Sequence, residues 1–212
     1  MNILAIDTAT GPCSVALWKN GGISAYVENV KPIMQSASLL PMIEEALAIS
    51  NLTYKNLSAI ACTIGPGSFT GIRVGLASAR GIAFAAGIKT LGFTTLEVLA
   101  FAARKDAETV LAIVNAGKGE VFYQAYKTDP WQSLYESALG TLEKATASVD
   151  KPHIIGYGTN TIAFPRADAL AELAATRAAS AQALKPFYIR PPDAKLPQKK
   201  PLPSPPESLL RF

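Results

Sequence analysis

The stretch GPGSFTGIRVGL occupies residues 65–76. A glycine-rich turn leads directly into an apolar segment of small residues, which predicts a loop followed by a helix over about residues 70–86. A phosphate-binding P-loop ends in Gly-Lys-Ser/Thr, because its lysine reaches the phosphates and its hydroxyl holds magnesium. Gly71 is followed by Ile72 and Arg73, so the residues of P-loop chemistry are missing.

The start of this helix can act in two other ways. Its free backbone N–H groups can bind an anion, or the hydroxyl of Ser68 or Thr70 can cap them. Serine and threonine are common capping residues, so the sequence favours a structural cap.

Small residues recur at every fourth position of the predicted helix, at Gly71, Gly75 and Ala79. Each glycine inside a helix costs about 0.8–1 kcal/mol relative to alanine, so a close contact must offset the cost. That contact is either packing within one domain or an interface with another chain. We expect the stripe to face outward, with Gly75 near the centre of a partner surface.

The rest of the chain alternates strands and helices. Strands are predicted at residues 2–7, 13–19, 23–30, 57–64, 89–93, 153–158 and 186–190, and helices at 34–50, 95–105 and 168–184. The segment VLAIVNAGKGEVFYQAYK (110–127) echoes ILAIDTATGPCSVALWK (3–19), which indicates a duplicated β-β-β-α-β-α unit.

This order predicts an α/β protein of two similar lobes with mixed sheets. The first lobe is expected at residues 1–97 and the second at 98–190. Residues 191–212 are rich in proline and show no periodicity, so we interpret them as a basic tail.

Composition excludes few functions. The net charge is only +4, and no apolar run reaches the roughly 20 residues that a spanning helix needs. The opening residues show no basic leader, which favours a cytoplasmic protein. Cys13 and Cys62 lie in strand-like apolar runs and are expected to be buried free thiols.

Four segments together carry a family resemblance: LAIDTAT at the start, LLPMI, the 65–76 stretch, and YIRPPDA near the end. The chain resembles the TsaB (YeaZ) family, whose members are relatives of the TsaD enzymes. The resemblance covers nearly all of residues 1–127 and resumes at 187–194. It implies an ASKHA (actin-like) fold built as two RNase-H-like lobes.

The resemblance also implies a function. Family members are non-catalytic scaffolds that act with a TsaD-like protein and a TsaE-like ATPase. Together these make N6-threonylcarbamoyladenosine on tRNAs that read ANN codons, with tRNA bound through the complex. No catalytic residue, cofactor or metal is then expected in this chain.

The same resemblance implies a partner surface on helices 34–50 and 70–86, which pair with a TsaD-like protein or with a second copy of the chain. Its expected residues are Leu39, Leu40, Ile43, Leu47, Gly71, Arg73, Gly75, Leu76, Ala79 and Ile82. We expect Leu39, Ile43 and Leu76 to form an exposed apolar patch. The family motif falls on Asp7, Gly65, Pro66, Gly67, Ser68 and Thr70.

Departures from related enzymes weigh against independent catalysis. An ASKHA kinase uses one acidic residue from each lobe to hold magnesium, whereas the counterpart of Asp7 here is the neutral Asn115. Asp7 then either caps a turn or binds metal. The alternative function, a stand-alone ASKHA phosphotransferase, is therefore disfavoured. A metalloprotease is disfavoured further, because His153 is the only histidine and no His-Glu-x-x-His motif exists.

We predict that the tail is dispensable for folding. Proline removes backbone donors, and the segment has little apolar surface to bury. A chain truncated at Pro197 should keep its melting temperature within a few degrees of the full chain in a thermal-denaturation scan. A large fall would contradict this prediction and would show that the tail packs.

Overall fold

A computed structural model describes residues 1–30, 35–159 and 163–189. Its first sheet contains β1 (Ile3–Asp7), β2 (Cys13–Lys19), β3 (Gly22–Asn29), β4 (Ala59–Thr63) and β5 (Lys89–Phe93). The strand order is β3-β2-β1-β4-β5. The first three strands form an antiparallel meander, and β4 and β5 add to it in parallel. The expected tail at 191–212 lies outside the described residues.

The second sheet contains β6 (Thr109–Gly117), β7 (Glu120–Thr128), β8 (Trp131–Ser133), β9 (Ala138–Gly140) and β10 (His153–Gly156). Strands β6 and β7 are antiparallel, and β10 runs parallel to β6. Both β8 and β9 pair with β7. Each sheet thus begins with an antiparallel pair and gains a parallel strand after a helix, so the α/β class with two mixed sheets is confirmed.

Five α-helices flank the sheets: α1 (Gln35–Ile49), α2 (Phe69–Ala86), α3 (Thr95–Ala102), α4 (Leu142–Thr146) and α5 (Ala167–Arg177). The first sheet is covered on both faces, because successive side chains of a strand point to opposite sides. Leu4 and Ile6 pack with α1 and α2, whereas Ile3 and Ala5 pack with α5.

Helices α3 and α5 lie between the two sheets. Leu96 and Leu99 of α3 pack against Val110 of β6, while Val98 of the same helix packs with Leu170 of α5. Helix α4 covers the outer face of the second sheet. Helix α3 spans residues 97 and 98, where the sequence predicts the lobe boundary, and that division stays a prediction.

Three expectations near the end of the chain need correction. The helix expected at 168–184 ends at Arg177, where a 3₁₀ turn over Ala178–Ser180 follows. Residues 186–189 form no strand, although the Phe187 N–H donates to the Ile64 carbonyl over 2.8 Å. The stretch 128–152, for which no element was predicted, contains β8, β9 and α4. These elements are too short for periodicity to reveal.

The small-residue stripe of α2 faces the interior of the protein. Gly71, Gly75 and Ala79 are buried, so the prediction of an outward stripe is wrong. A Cβ atom at Gly75 would lie 2.4 Å from Thr8 Oγ1 and 3.3 Å from Cys62 Sγ. The glycines therefore let α2 approach β1 and β4 of its own sheet, which is the first of the two contacts that the sequence left open.

The expected apolar patch is buried as well. The side chains of Leu39, Ile43, Leu47 and Leu76 belong to the core beneath α1 and α2. They face inward because both helices bury one stripe against the first sheet. Of the ten predicted partner residues, Leu40 and Arg73 are exposed and Ile82 is half-buried.

Two alanine substitutions in α2 test this packing with the same chemical change. Gly75→Ala should lower the free energy of unfolding by about 1–3 kcal/mol, because overpacking displaces Thr8. Gly81 is exposed with no atom within 4 Å of an added Cβ, so Gly81→Ala should raise stability by about 0.5–1 kcal/mol. Urea denaturation measures both changes. Equal effects at the two positions would contradict the inward orientation of the stripe.

Candidate functional site

The loop that precedes α2 is held by backbone contacts on two sides. Gly65 has a φ of +110°, and a Cβ atom there would lie 2.7 Å from the Phe187 carbonyl oxygen. At Gly67 an added Cβ would lie 2.2 Å from the Ala9 carbonyl oxygen, which also accepts the Ser68 N–H at 2.6 Å. Glycine is needed at both positions because backbone approaches them closely.

The first turn of α2 is capped by the protein itself. Ser68 Oγ accepts the Gly71 N–H at 3.2 Å, and the Ser68 carbonyl accepts the Ile72 N–H at 2.9 Å. The Thr8 hydroxyl donates to the Gly71 carbonyl at 2.7 Å. The structural cap favoured by the sequence is confirmed at Ser68. The loop and helix start therefore form a corner that joins α2 to the end of β1.

Asp7 lies at the carboxyl end of β1 and is fully buried. Its Oδ1 accepts the Thr63 hydroxyl at 2.6 Å and the Ala9 N–H at 3.4 Å, whereas its Oδ2 has no hydrogen-bond partner. Burial raises the pKa of the carboxyl from 3.8 to about 7, and the two hydrogen bonds oppose this only in part. The contact with Ala9, two residues on, fits the turn-capping role.

The two free thiols lie near this carboxyl, as their electrostatic coupling to it indicates. Cys13 and Cys62 are buried and unpaired, which confirms the expectation from sequence. Burial is the main cause that raises the pKa of the Cys13 thiol to about 12, and the negative charge of Asp7 adds to it. Both thiols therefore stay protonated at neutral pH and are poor nucleophiles.

The predicted counterpart of Asp7 in the second sheet is Asn115, whose side chain carries no charge. Asn115 is exposed, and its Oδ1 accepts the Gly117 N–H at 2.8 Å within the β6–β7 hairpin. Thr10, Ser68 and Asn115 line a cavity of about 100 Å³ whose walls include Tyr157 and Phe164. Ligand pockets are typically about 300–1,000 Å³, so this space is small for a nucleotide.

The described residues offer no cluster of three or more His, Cys, Asp or Glu side chains for a metal ion. His153 is exposed at the edge of the second sheet, where its Nε2 lies 3.9 Å from Asp106 Oδ2. The pair lies at the start of β10, and neither of its residues lines the cavity that contains Thr10 and Ser68.

Helix α2 presents a second stripe on its outward face. Phe69, Arg73, Ala77, Arg80 and Phe84 follow one another at steps of three or four residues and are all exposed. Residues at this spacing share one side of a helix. Only Arg73 of this stripe was among the predicted partner residues, because the glycines of the opposite stripe repeat at the same period.

The stripe begins with a preformed aromatic cluster. The Phe69 ring stacks on Tyr188 with centroids 5.6 Å apart, and the Arg73 guanidinium lies 3.7 Å from the Phe69 centroid. Arg73 Nε also donates to the Tyr188 hydroxyl at 3.4 Å. Further along, the Arg80 guanidinium donates to the Leu184 carbonyl. The segment that follows α5 is therefore fastened along α2 at two points.

Comparisons with known proteins identify the group. A family model described as TsaD, tRNA N6-adenosine threonylcarbamoyltransferase, matches residues 34–187. A protein of Escherichia coli named "tRNA threonylcarbamoyladenosine biosynthesis protein TsaB" is 40% identical over 157 residues, which cover 73% of this chain and 64% of that protein. The Haemophilus influenzae protein of the same name is 31% identical over 176 residues, covering 77% and 74% of the two chains.

A crystal structure from Pseudomonas aeruginosa, described as similar to the peptidase YeaZ, superposes with a TM-score of 0.79 at 27% identity. The superposition covers 89% of this chain and 99% of that one. A second structure, YeaZ from the same organism, gives a TM-score of 0.76 at 25% identity.

The two mixed sheets and the capped corner thus define an α/β protein related to TsaD. The chain belongs to the TsaB (YeaZ) family. Among the described residues no helix is long and apolar enough to cross a membrane.

The buried carboxyl of Asp7 should make stability depend on pH. Its folded pKa lies above the unfolded value, so the unfolded state loses its proton first as the pH rises. The free energy of unfolding should therefore fall by up to about 4 kcal/mol between about pH 4 and pH 7 and then level off. Asp7→Asn removes this fall, so the variant should gain stability over the parent as the pH rises.

Urea denaturation at about pH 4.5 and about pH 8 measures the difference. The exposed Asp150→Asn variant is the control and should run parallel to the parent protein. If Asp7→Asn also runs parallel, the carboxyl does not have a raised pKa.

We predict that the isolated chain does not bind magnesium-ATP tightly. The reasons are the missing P-loop lysine, the neutral Asn115 and the small cavity beside it. Isothermal titration calorimetry should give no saturable heat at micromolar nucleotide. Micromolar, magnesium-dependent binding would contradict the prediction and would revive the phosphotransferase alternative.

Proposed function

We propose that this chain is a non-catalytic partner subunit in the biosynthesis of N6-threonylcarbamoyladenosine on tRNA. It pairs with a TsaD-like protein through the outward faces of α1 and α2, and a TsaE-like ATPase joins the complex. The observation that carries the proposal is the outward stripe of α2, which ends at Phe84 with 91% of that residue exposed. The names of the relatives supply the pathway.

Exposed apolar side chains also occur on the neighbouring helix, where Leu40 and Ile49 lie about half a turn apart around α1. Leu40 and Ile49 of α1 are 52% and 53% exposed, and Phe69 of α2 is 46% exposed. A single exposed apolar residue on a surface needs no explanation, but several on adjacent helices mark a site of protein–protein contact. The same face also supports pairing with a second copy of the chain when the partner is absent.

The cluster of Phe69, Arg73 and Tyr188 supplies the anchor for such an interface. Tyrosine and arginine are enriched among the residues that dominate binding energy. The stacking and the cation–π contact hold these side chains in place before binding, which reduces the entropy that association costs.

A scaffold role also agrees with the interior of the corner. The hydroxyl of Thr63 and the backbone of Ala9 occupy one oxygen of Asp7, and its raised pKa disfavours the ionised form that a metal ion needs. Its second-sheet counterpart, Asn115, carries no charge. Catalysis then belongs to the partner, tRNA is bound through the complex, and a role on tRNA places the protein in the cytoplasm.

Alanine variants on the outward stripe test the pairing. Phe84→Ala and Arg73→Ala should each weaken binding to the TsaD-like protein of the same organism by about tenfold or more, the range of hot-spot residues. Leu134→Ala removes an exposed apolar side chain beyond β8 and should leave affinity unchanged. Binding is measured by calorimetry, and light scattering reports self-pairing. Unaltered affinity in both stripe variants would place the interface elsewhere.

Reconstitution of tRNA modification with and without this chain tests the pathway itself. Modification by the TsaD-like and TsaE-like proteins should require the chain and should fall in the stripe variants. Full modification without the chain would refute the scaffold role. Activity of the chain alone would refute its non-catalytic status.

A further inference from the structure

A groove of about 700 Å³ is lined by residues of α3, β7, β8, α5 and the segment after α5. We call it the Trp131 groove. Its walls include Glu97, Tyr126, Trp131, Arg177, Phe187 and Tyr188. Its volume falls in the range of about 300–1,000 Å³ that binding sites occupy. Tyr188 is shared with the aromatic cluster at the start of α2, whereas Glu97, Tyr126 and Trp131 belong to neither the corner nor the face of α1 and α2.

The groove has a rigid aromatic wall. The rings of Trp131 and Tyr126 stack with centroids 5.1 Å apart and planes 17° apart. The rings of Trp131 and Phe101 pack edge-to-face with centroids 5.4 Å apart. The Tyr126 hydroxyl donates to Gln124 Oε1 at 2.7 Å. Trp131 is nevertheless only half-buried, so part of its indole is open to an occupant.

Acidic groups lie beside the aromatic wall. The Glu97 carboxylate accepts a hydrogen bond from Trp131, and the exposed Glu136 lines the same groove. Arg177 is the one basic residue among the described lining residues, and its guanidinium lies 5.7 Å from the Trp131 ring. Aromatic rings with carboxylates beside them suit a proline-rich ligand that carries basic residues.

The chain itself contains such a ligand outside the described residues. Seven of its 15 prolines fall in residues 191–212, and Pro203–Pro206 form a Pro-x-x-Pro motif. Lys199 and Lys200 precede the motif, and residues 190–212 carry five basic and two acidic side chains. Pro-x-x-Pro segments bind aromatic-lined grooves as polyproline II helices, because little conformational entropy is lost on docking.

The path from the described chain to the groove is short. Ile189, the last described residue, lines the groove. Thirteen residues, 190–202, then lead to the motif, and they reach at most about 45 Å when extended. A tether of this length holds its segment at an effective concentration of about a millimolar, so even a weak site is occupied.

We infer that residues 201–206 dock in the Trp131 groove of the same chain as a polyproline II segment. The positive charges of Lys199 and Lys200, which precede this segment, complement the acidic side chains of the groove. Docking of this strength adds little to folding stability, so it agrees with a tail that folding does not require.

Fluorine NMR with 5-fluorotryptophan tests the inference on the full chain. The two tryptophans give two resonances, and a Trp18→Phe variant assigns them. Truncation at Pro197 should shift the Trp131 resonance and leave the Trp18 resonance unchanged. A peptide of residues 197–208, added to the truncated chain, should restore the Trp131 position with a midpoint at or below about a millimolar.

Matched variants separate docking from a general effect of the tail. Pro203→Ala with Pro206→Ala should reproduce the truncation, whereas Pro205→Ala, inside the motif but outside its fixed positions, should not. Glu136→Lys should weaken docking, whereas Glu143→Lys on another exposed surface should not. Acrylamide quenching of Trp131 in the Trp18→Phe chain provides a second readout and should rise on truncation.

Two results would overturn the inference. An unchanged Trp131 resonance on truncation would show that the tail does not occupy the groove. Peptide binding that is equal in the full and truncated chains would show that the groove is open in the full chain and serves the proline-rich segment of another protein.

Discussion

Helix α2 lies so close to β1 at Gly75 that a side chain there would collide with the Thr8 hydroxyl. The same hydroxyl donates to the Gly71 carbonyl one turn earlier. These two contacts fix the depth of α2 and its rotation about its own axis. The exposure of the outward stripe is a consequence, because burying Gly71, Gly75 and Ala79 turns the opposite side of the helix toward solvent. The core packing of the first sheet thus decides which residues a partner can meet.

Helices α3 and α5 form a layer between the two sheets, and each packs on the sheet of the other half of the chain. Helix α3 follows the last strand of the first sheet but packs on the second, and α5 follows the second sheet but packs on the first. The chain after α5 then returns along α2, where Arg80 and Arg73 hold it. Because each sheet is covered by a helix from the other half of the chain, the halves are coupled by core contacts as well as by their connecting segments.

Burial has changed the chemistry that the family motif suggests. The resemblance to ASKHA kinases suggests a magnesium ligand at Asp7, yet its charge is disfavoured and one of its oxygens bonds to Thr63 and Ala9. Ser68 likewise uses its hydroxyl to cap α2 instead of leaving N–H groups free for a phosphate. The polar groups of the corner are thus engaged in internal bonds, which agrees with the proposed scaffold role.

The sequence by itself determined the order of the elements, because periodicity and turn residues act locally. Strands β1, β2 and β5 and helices α1 and α2 lie within two residues of their predicted bounds, and Ser68 was recognisable as a cap. The sequence also indicated the family, chiefly through the motif at residues 65–76. The short elements between 128 and 152 escaped prediction because three to five residues carry no period.

Only the tertiary structure decided which face of α2 is inside. Both stripes of that helix repeat at the same spacing, so periodicity alone cannot show which stripe is buried and which is exposed. Small residues permit close approach to any surface, and the choice depended on the position of Thr8 and Cys62, which lie more than ten residues away in the sequence. The Trp131 groove has the same origin, since its walls come from α3, β7, β8, α5 and the segment after α5, which no local pattern brings together.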